Sequence, residues 1–293
     1  KLLKSIPFKR PSTSFGGMVS LQKYLSPIFK WIRYYLNKYG IFELGMSKAG
    51  EINMLSKLVK PHIGIITNIG EAHIENFKNV KKIADAKGEI INNIHKDGTL
   101  ILNRDDRFFN YLKTKAKEKN LKVLSFGFNK KSNVYPISII KNESETKLRI
   151  KIESQIISFK IKNINIYNVL SSLALLRELK LDFNKILNKF KYYRPSEGRG
   201  KIYSIKRYKK KIKFIDESYN ANPVSVKNAI KNYNSIKKSK FKKYLLLGDM
   251  LELGKKSEML HKEISKVINN SDIDKVFIKG TKTLTTYKNI DKK

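Results

Sequence analysis

Short apolar runs alternate with stretches of helix-spaced apolar positions along most of the chain. Residues 39–44 form a short apolar run that predicts a strand. Ile52, Leu55, Leu58 and Val59 share one helical face and predict a helix over 50–59. An isoleucine-rich strand is expected over 62–68. Val80, Ile83, Ala84, Ile90, Ile91 and Ile94 predict a helix over 80–94. A strand over 99–103, a helix over 107–118 and a strand over 122–126 complete the series. Strands alternating with helices imply a mostly parallel sheet covered on both faces.

The pattern changes over 133–162. Ile137 and Ile139, then Leu148, Ile150, Ile152 and the run from Ile156 to Ile161, follow period two around the polar stretch 141–145. That spacing predicts an antiparallel excursion. Helical spacing returns at Ile166, Val169, Leu170, Leu173 and Leu176, and again at Phe183, Ile186 and Leu187. Residues 192–200 hold Pro195, Gly198 and Gly200 and are expected to divide two domains. A second β/α alternation follows, with strands over 201–206, 211–216, 243–247 and 275–278 and helices near 223–237 and 256–269. The fold class expected is α/β: a mostly parallel sheet with a small antiparallel excursion over 39–195, then a Rossmann-like domain over 196–293. Residues 1–38 are harder to interpret. Leu21 to Leu36 includes Trp31 and three tyrosines and is compatible with an amphipathic surface helix or an ordinary packing segment.

The 293 residues suffice for about two domains, each with its own core. There is no cysteine, which excludes disulfides and thiolate metal sites and fits a reducing, cytoplasmic setting. No apolar run is long enough to span a membrane. The chain begins with Lys1 and shows no secretory pattern, so it is read as a fragment; a monomer is expected. The net charge of +37 raises nucleic-acid binding as an alternative. Yet only nine of the 62 basic residues are arginine, the preferred residue for bidentate phosphate and base contacts. The lysines are spread along the chain, so a diffusely solvated surface without specific nucleic acid is expected.

Two strand-to-loop junctions carry the densest chemistry. One is Ile215-Asp216-Glu217-Ser218-Tyr219-Asn220-Ala221-Asn222-Pro223. The other is Leu247-Gly248-Asp249-Met250-Leu251-Glu252-Leu253-Gly254. Ligands of open α/β sheets bind at the carboxyl ends of strands. Upstream stand Phe42-Glu43-Leu44-Gly45-Met46, Pro61 to Asn68, Ala72-His73 and Ala86-Lys87-Gly88-Glu89-Ile90. In order and spacing these segments resemble the Mur ligases, and among them the branch that adds D-alanyl-D-alanine to UDP-MurNAc-tripeptide in peptidoglycan synthesis. The resemblance covers about residues 39–280. A sibling Mur ligase, a folylpolyglutamate synthase-type ligase and a non-catalytic relative remain alternatives.

The resemblance implies ATP and Mg2+ as cofactors. It makes Glu43 and His73 metal ligands, and Lys87 a carbamylated lysine whose anion holds a second Mg2+. On the residues alone, a carboxylate and an imidazole at neighbouring strand ends suit a divalent metal, whereas Lys87 is equally a helix-face lysine. The resemblance assigns Asn168 to adenine, Arg199 to the phosphates and Asp216 to the ribose. The family's usual His before that asparagine is here Tyr167. Tyr219, Asn220 and Asn222 offer donors and acceptors for a dipeptide. Asp249 and Glu252 either orient the amine or cap their loop. His62, His95 and His261 are read as structural. No Gly-x-x-x-x-Gly-Lys-Ser/Thr phosphate loop occurs in the chain, so by itself it is expected to be inactive as a ligase.

Overall fold

In a computed structural model, the residues described are 39–71, 74–141, 145–162, 165–190, 192, 195–207, 209–236 and 241–291. The chain divides into two units, Lys1–Leu44 and Gly45–Lys293. In the first unit residues 39–44 are described, and they carry no regular secondary structure. The strand expected there is not formed. An apolar run becomes a strand only by pairing with a neighbour, and no sheet includes these residues. The segment with Trp31 lies outside the described residues.

The second unit begins with helix α1 (Glu51–Val59), strand β1 (Ile63–Ile66) and helix α2 (Val80–Gly88). The helix expected over 80–94 changes at Gly88 into a 3-10 turn, Glu89–Asn93. A Cβ at Gly88 would stand 3.0 Å from Leu112, so a glycine allows the close approach of the helix that carries Leu112. Glu89 then serves α1 from a distance. Its carboxylate accepts from the main-chain N–H of Gly50 (2.7 Å) and Asn53 (3.0 Å), donors that the start of a helix leaves without a partner.

Strands β2 (Thr99–Asn103), β3 (Lys122–Phe126), β4 (Val134–Lys141), β5 (Thr146–Ile152) and β6 (Gln155–Ile161) join β1 in one six-stranded sheet, ordered as in the chain. Helix α3 (Phe109–Glu118) connects β2 to β3. The first four strands run parallel, and β4, β5 and β6 pair antiparallel. All five positions of β2 are buried, as a central parallel strand requires. In β5 period two places Leu148, Ile150 and Ile152 on the core side. They pack with Phe126, Ile161 and the Val169, Leu170, Leu173 and Ala174 stripe of helix α4 (Ile166–Glu178). Helix α5 (Phe183–Phe190) follows.

Strands β7 (Lys201–Arg207) and β8 (Lys210–Asp216) form an antiparallel hairpin, not the start of a β/α alternation. Two residues separate them in the sequence, far too few for the crossover that parallel pairing needs. Helix α6 (Pro223–Asn234) has Asn222 as its N-cap and proline in its first turn, as the sequence predicts. Strand β9 (Tyr244–Gly248), helix α7 (Ser257–Asn269), strand β10 (Lys275–Lys279) and helix α8 (Thr283–Lys288) complete the unit, with β9 and β10 parallel. Lys243, fully buried, ties this layer together. Its ammonium meets both Asp272 oxygens at 2.8 Å and the main-chain carbonyls of Tyr233, in the last turn of α6, and Ile236, just beyond it. A cation there offsets the negative end of the helix.

Candidate active site

The loop after β1 and the loop after β2 meet around Lys87. Lys87 lies near the end of α2, half-buried, and its Nζ donates to the main-chain carbonyl of Asn68 at 2.9 Å. Burial pushes its amine below the usual lysine range, and the Asp106 carboxylate opposes that shift. A larger neutral fraction results, and the neutral amine is the form that can attack CO2. Asp106 is itself held: its oxygens accept from the N–H of Ile69 (2.6 Å) and of Phe108 (2.9 Å). The sequence reading missed Asp106. The signal was present in Asn103-Arg104-Asp105-Asp106, an acidic pair directly after a strand end.

Asp105 organises the neighbouring corner. It accepts from the N–H of Asn129 (3.0 Å) and from the Tyr167 hydroxyl (3.0 Å). Burial and then the Asp105 charge push the Tyr167 phenol up to about 12. Its ring meets Phe128 edge-on at 4.9 Å. Asn168, next along α4, is exposed beside this pair.

A second cluster forms at the start of β7. Gly198 adopts φ +72, and a Cβ there would lie 2.6 Å from the Tyr219 nitrogen. That close approach lets the Tyr219 N–H donate to the Gly198 carbonyl at 3.0 Å. Asp216 accepts from the Gly198 N–H (3.0 Å) and from the Ser218 N–H (3.1 Å) and hydroxyl (2.6 Å). The Ser218 hydroxyl, its N–H and the Gly198 N–H hold the Asp216 carboxyl below its ordinary range. The Arg199 guanidinium stacks over the Tyr219 ring, 4.1 Å from its centroid. Arg199, Asp216 and Tyr219, far apart in type and assigned to different ligand groups, thus share one corner. Asn220 is exposed beside them. Asn222 closes a capping box with Ser225, which occupies its Oδ1.

The third group is the loop after β9. Asp249 accepts from the N–H of Thr281 (3.2 Å) and of Thr283 (2.8 Å) and from the Thr283 hydroxyl (3.0 Å). It therefore caps α8. Burial raises its carboxyl, but the Thr283 N–H and its neighbours outweigh that and hold it low. The Glu252 carbonyl accepts from the Glu75 N–H at 3.1 Å, and Gly70 faces Val224 of α6. The loop after β1 and the loops of the C-terminal layer therefore share one edge.

Glu43 belongs to the other unit and is exposed there, and His73 lies outside the described residues. Among the described residues no three His, Asp or Glu side chains form a metal cluster. Lys87 as an ammonium is no ligand, and the oxygen beside its Nζ is the Asn68 carbonyl. His62 and His95 stack on each other at 5.0 Å.

The family model for the Mur ligase middle domain matches residues 30–176, half of the chain. That for the Mur ligase, glutamate ligase domain matches 199–290. The chain belongs to the Mur ligase family. It is 31% identical over 254 residues to the UDP-N-acetylmuramoyl-tripeptide–D-alanyl-D-alanine ligase of Rickettsia prowazekii, covering 85% of this chain and 55% of that enzyme. The enzyme of the same name from Bacillus subtilis is 34% identical over 247 residues, covering 82% and 50%. A crystal structure of MurF from Acinetobacter baumannii superposes with a TM-score of 0.77 at 25% identity, covering 87% of this chain and 54% of that one. The chain spans about half the length of these Mur ligases. No helix among its described residues is long and apolar enough to cross a membrane.

Proposed function

We propose that the chain supplies the metal-lysine, nucleotide-contacting and amine-facing parts of an ATP-dependent ligase. The reaction joins D-alanyl-D-alanine to UDP-MurNAc-tripeptide in cytoplasmic peptidoglycan synthesis. Residues 39–195 act as the central ATPase domain and 196–293 as the C-terminal domain. The ligase names of the two relatives support the branch. The observation that carries the site is the packing of Arg199, Asp216 and Tyr219 around Gly198.

In the first step the tripeptide carboxylate attacks the γ-phosphorus of ATP. The bond to the bridging oxygen breaks, leaving an acyl phosphate and ADP. In the second step the dipeptide amine attacks the acyl carbon, a C–N bond forms, phosphate leaves and the amine proton passes to solvent or a base. Asn168 and Asp216 hold the nucleoside and Arg199 the phosphates, where fixed positive charge stabilises the developing phosphoryl charge. The Tyr219 ring keeps the Arg199 fork in place. Asn220, and the side-chain Nδ2 of Asn222, which the capping box does not use, face the dipeptide. Asp249 shapes the β9–α7 loop through α8 rather than meeting the amine, and Glu252 sits at the contact between layers.

Mg2+ would supply charge neutralisation on the transferring phosphoryl group. The resemblance assigns it to Glu43, His73 and carbamylated Lys87.

The test is amine competition with the complete protein. D-alanyl-D-alanine is expected to be ligated well and single alanines poorly, because polar groups built for a peptide unit stay unpaired with a smaller amine, at about 1–3 kcal/mol each. Equal efficiency with D-alanine or L-alanine would overturn the branch assignment.

A further inference from the structure

Hydrogen bonds at Asp249, Met250 and Glu252 help to hold the loop between β9 and α7. Asp249 ties its start to Thr281 and Thr283 at the head of α8. Next, Met250, 1% exposed, donates its main-chain N–H to Nε2 of His261 at 3.1 Å. His261 lies on α7 and is fully buried. Its other nitrogen, Nδ1, is 2.8 Å from the main-chain carbonyl of Ser257, one turn earlier. A main-chain N–H can only donate and a carbonyl can only accept, so the ring carries its proton on Nδ1 and uses Nε2 as an acceptor. The third contact leaves the C-terminal layer: the Glu252 carbonyl accepts from the Glu75 N–H, in the 3-10 turn Ile74–Asn76 after β1.

The backbone between these contacts is unusual. Glu252 has φ +59 and Gly254 φ +53. A Cβ at Gly254 would stand 3.3 Å from the Glu75 Cα. A left-handed glutamate persists only where its surroundings hold it. The buried Met250 and Leu253 side chains fill volume, but apolar packing is non-directional. At Met250 the His261 ring adds a directional restraint on the backbone that packing does not supply.

We propose that His261 is a positioning residue. By fixing the Met250 N–H it sets the loop in the shape that brings the Glu252 carbonyl to the Glu75 N–H. It thereby couples the C-terminal layer to the loop after β1, the loop that carries Asn68 against Lys87. His261 acts on that contact through the loop. The coupling does not depend on which amine is ligated.

Amide hydrogen exchange on the purified chain tests this without any ligase assay. His261→Leu is expected to speed exchange at the Glu75 amide by about tenfold or more, the effect of losing one net hydrogen bond. His261→Gln, whose side-chain oxygen can accept from the Met250 N–H, is expected to restore slow exchange at Glu75. Gly254→Val, away from the ring, is expected to release Glu75 while Met250 stays protected. The inference is overturned if Glu75 keeps its wild-type protection in His261→Leu while Met250 loses its own. It is equally overturned if Gln protects Glu75 no better than Leu. Should His261→Leu fail to fold, His261→Asn takes its place: too short to reach Met250, it is expected to release Glu75, and wild-type protection there would refute the role.

Discussion

Gly198→Ala tests the corner that holds Arg199, Asp216 and Tyr219. The native residue has φ +72, a conformation that costs an L-residue about 1–2 kcal/mol. The added Cβ would also lie 2.6 Å from the Tyr219 nitrogen, 2.8 Å from its Cβ and 2.9 Å from its Cα. Two of those atoms are main chain, so no rotamer change relieves the overlap, and overpacking of this kind adds about 1–3 kcal/mol. The sum is about 2–5 kcal/mol. With a urea slope of about 2–3 kcal/mol/M, the unfolding midpoint falls by roughly 0.7–2.5 M. Gly200→Ala is the internal control. It has φ +87, but its Cβ would meet only the Glu217 carboxylate at 3.2 Å, the far end of a flexible side chain. It is expected to lose about 1–2 kcal/mol, the conformational part alone. Urea unfolding of both variants, followed by circular dichroism, measures the difference. Equal shifts for the two, or a shift below roughly 0.3 M for Gly198→Ala at the same slope, would refute the close approach as the reason for this glycine.

Two further outcomes follow from the charged groups. The Asp249 carboxyl is held low in the fold, so its stabilising contribution is present above its unfolded pKa and lost as pH falls through the folded value. The urea midpoints of wild type and Asp249→Asn should therefore differ at neutral pH and begin to converge only as pH falls below about 4, and a gap that widens on acidification would contradict the capping role. In the complete protein Lys87→Ala is expected to lose most ligase activity, with partial recovery on adding a small carboxylate. Near-normal turnover without additive would return Lys87 to a helix-face lysine.

Much of the fold was legible in the sequence because its signals are local. The unbroken apolar run of β2 reads as a strand buried on both faces. Period two in β5 and β6 reads as antiparallel, and Asn222-Pro223 reads as a helix start. The candidate residues Arg199, Asp216 and Tyr219 could each be named from their setting: a scarce arginine between glycines, a strand end, a polar loop. Their meeting at one corner could not be read, since it depends on the left-handed turn at Gly198 placing two segments about twenty residues apart in van der Waals contact. The same limit explains what was missed. Asp106 matters because the loop after β2 folds onto the loop after β1, and Asp249 became a cap because α8 starts beside it. The strand expected over 39–44 failed for the opposite reason: apolar residues alone do not make a strand, and the partner that would pair with them is a tertiary fact. The sequence by itself determined the elements and the chemistry available on each, since periodicity and side-chain type are local properties. Only the tertiary structure decided which of those groups meet and which are spent on holding loops, because each hydrogen-bonding group serves whichever partner the fold brings within about 3 Å.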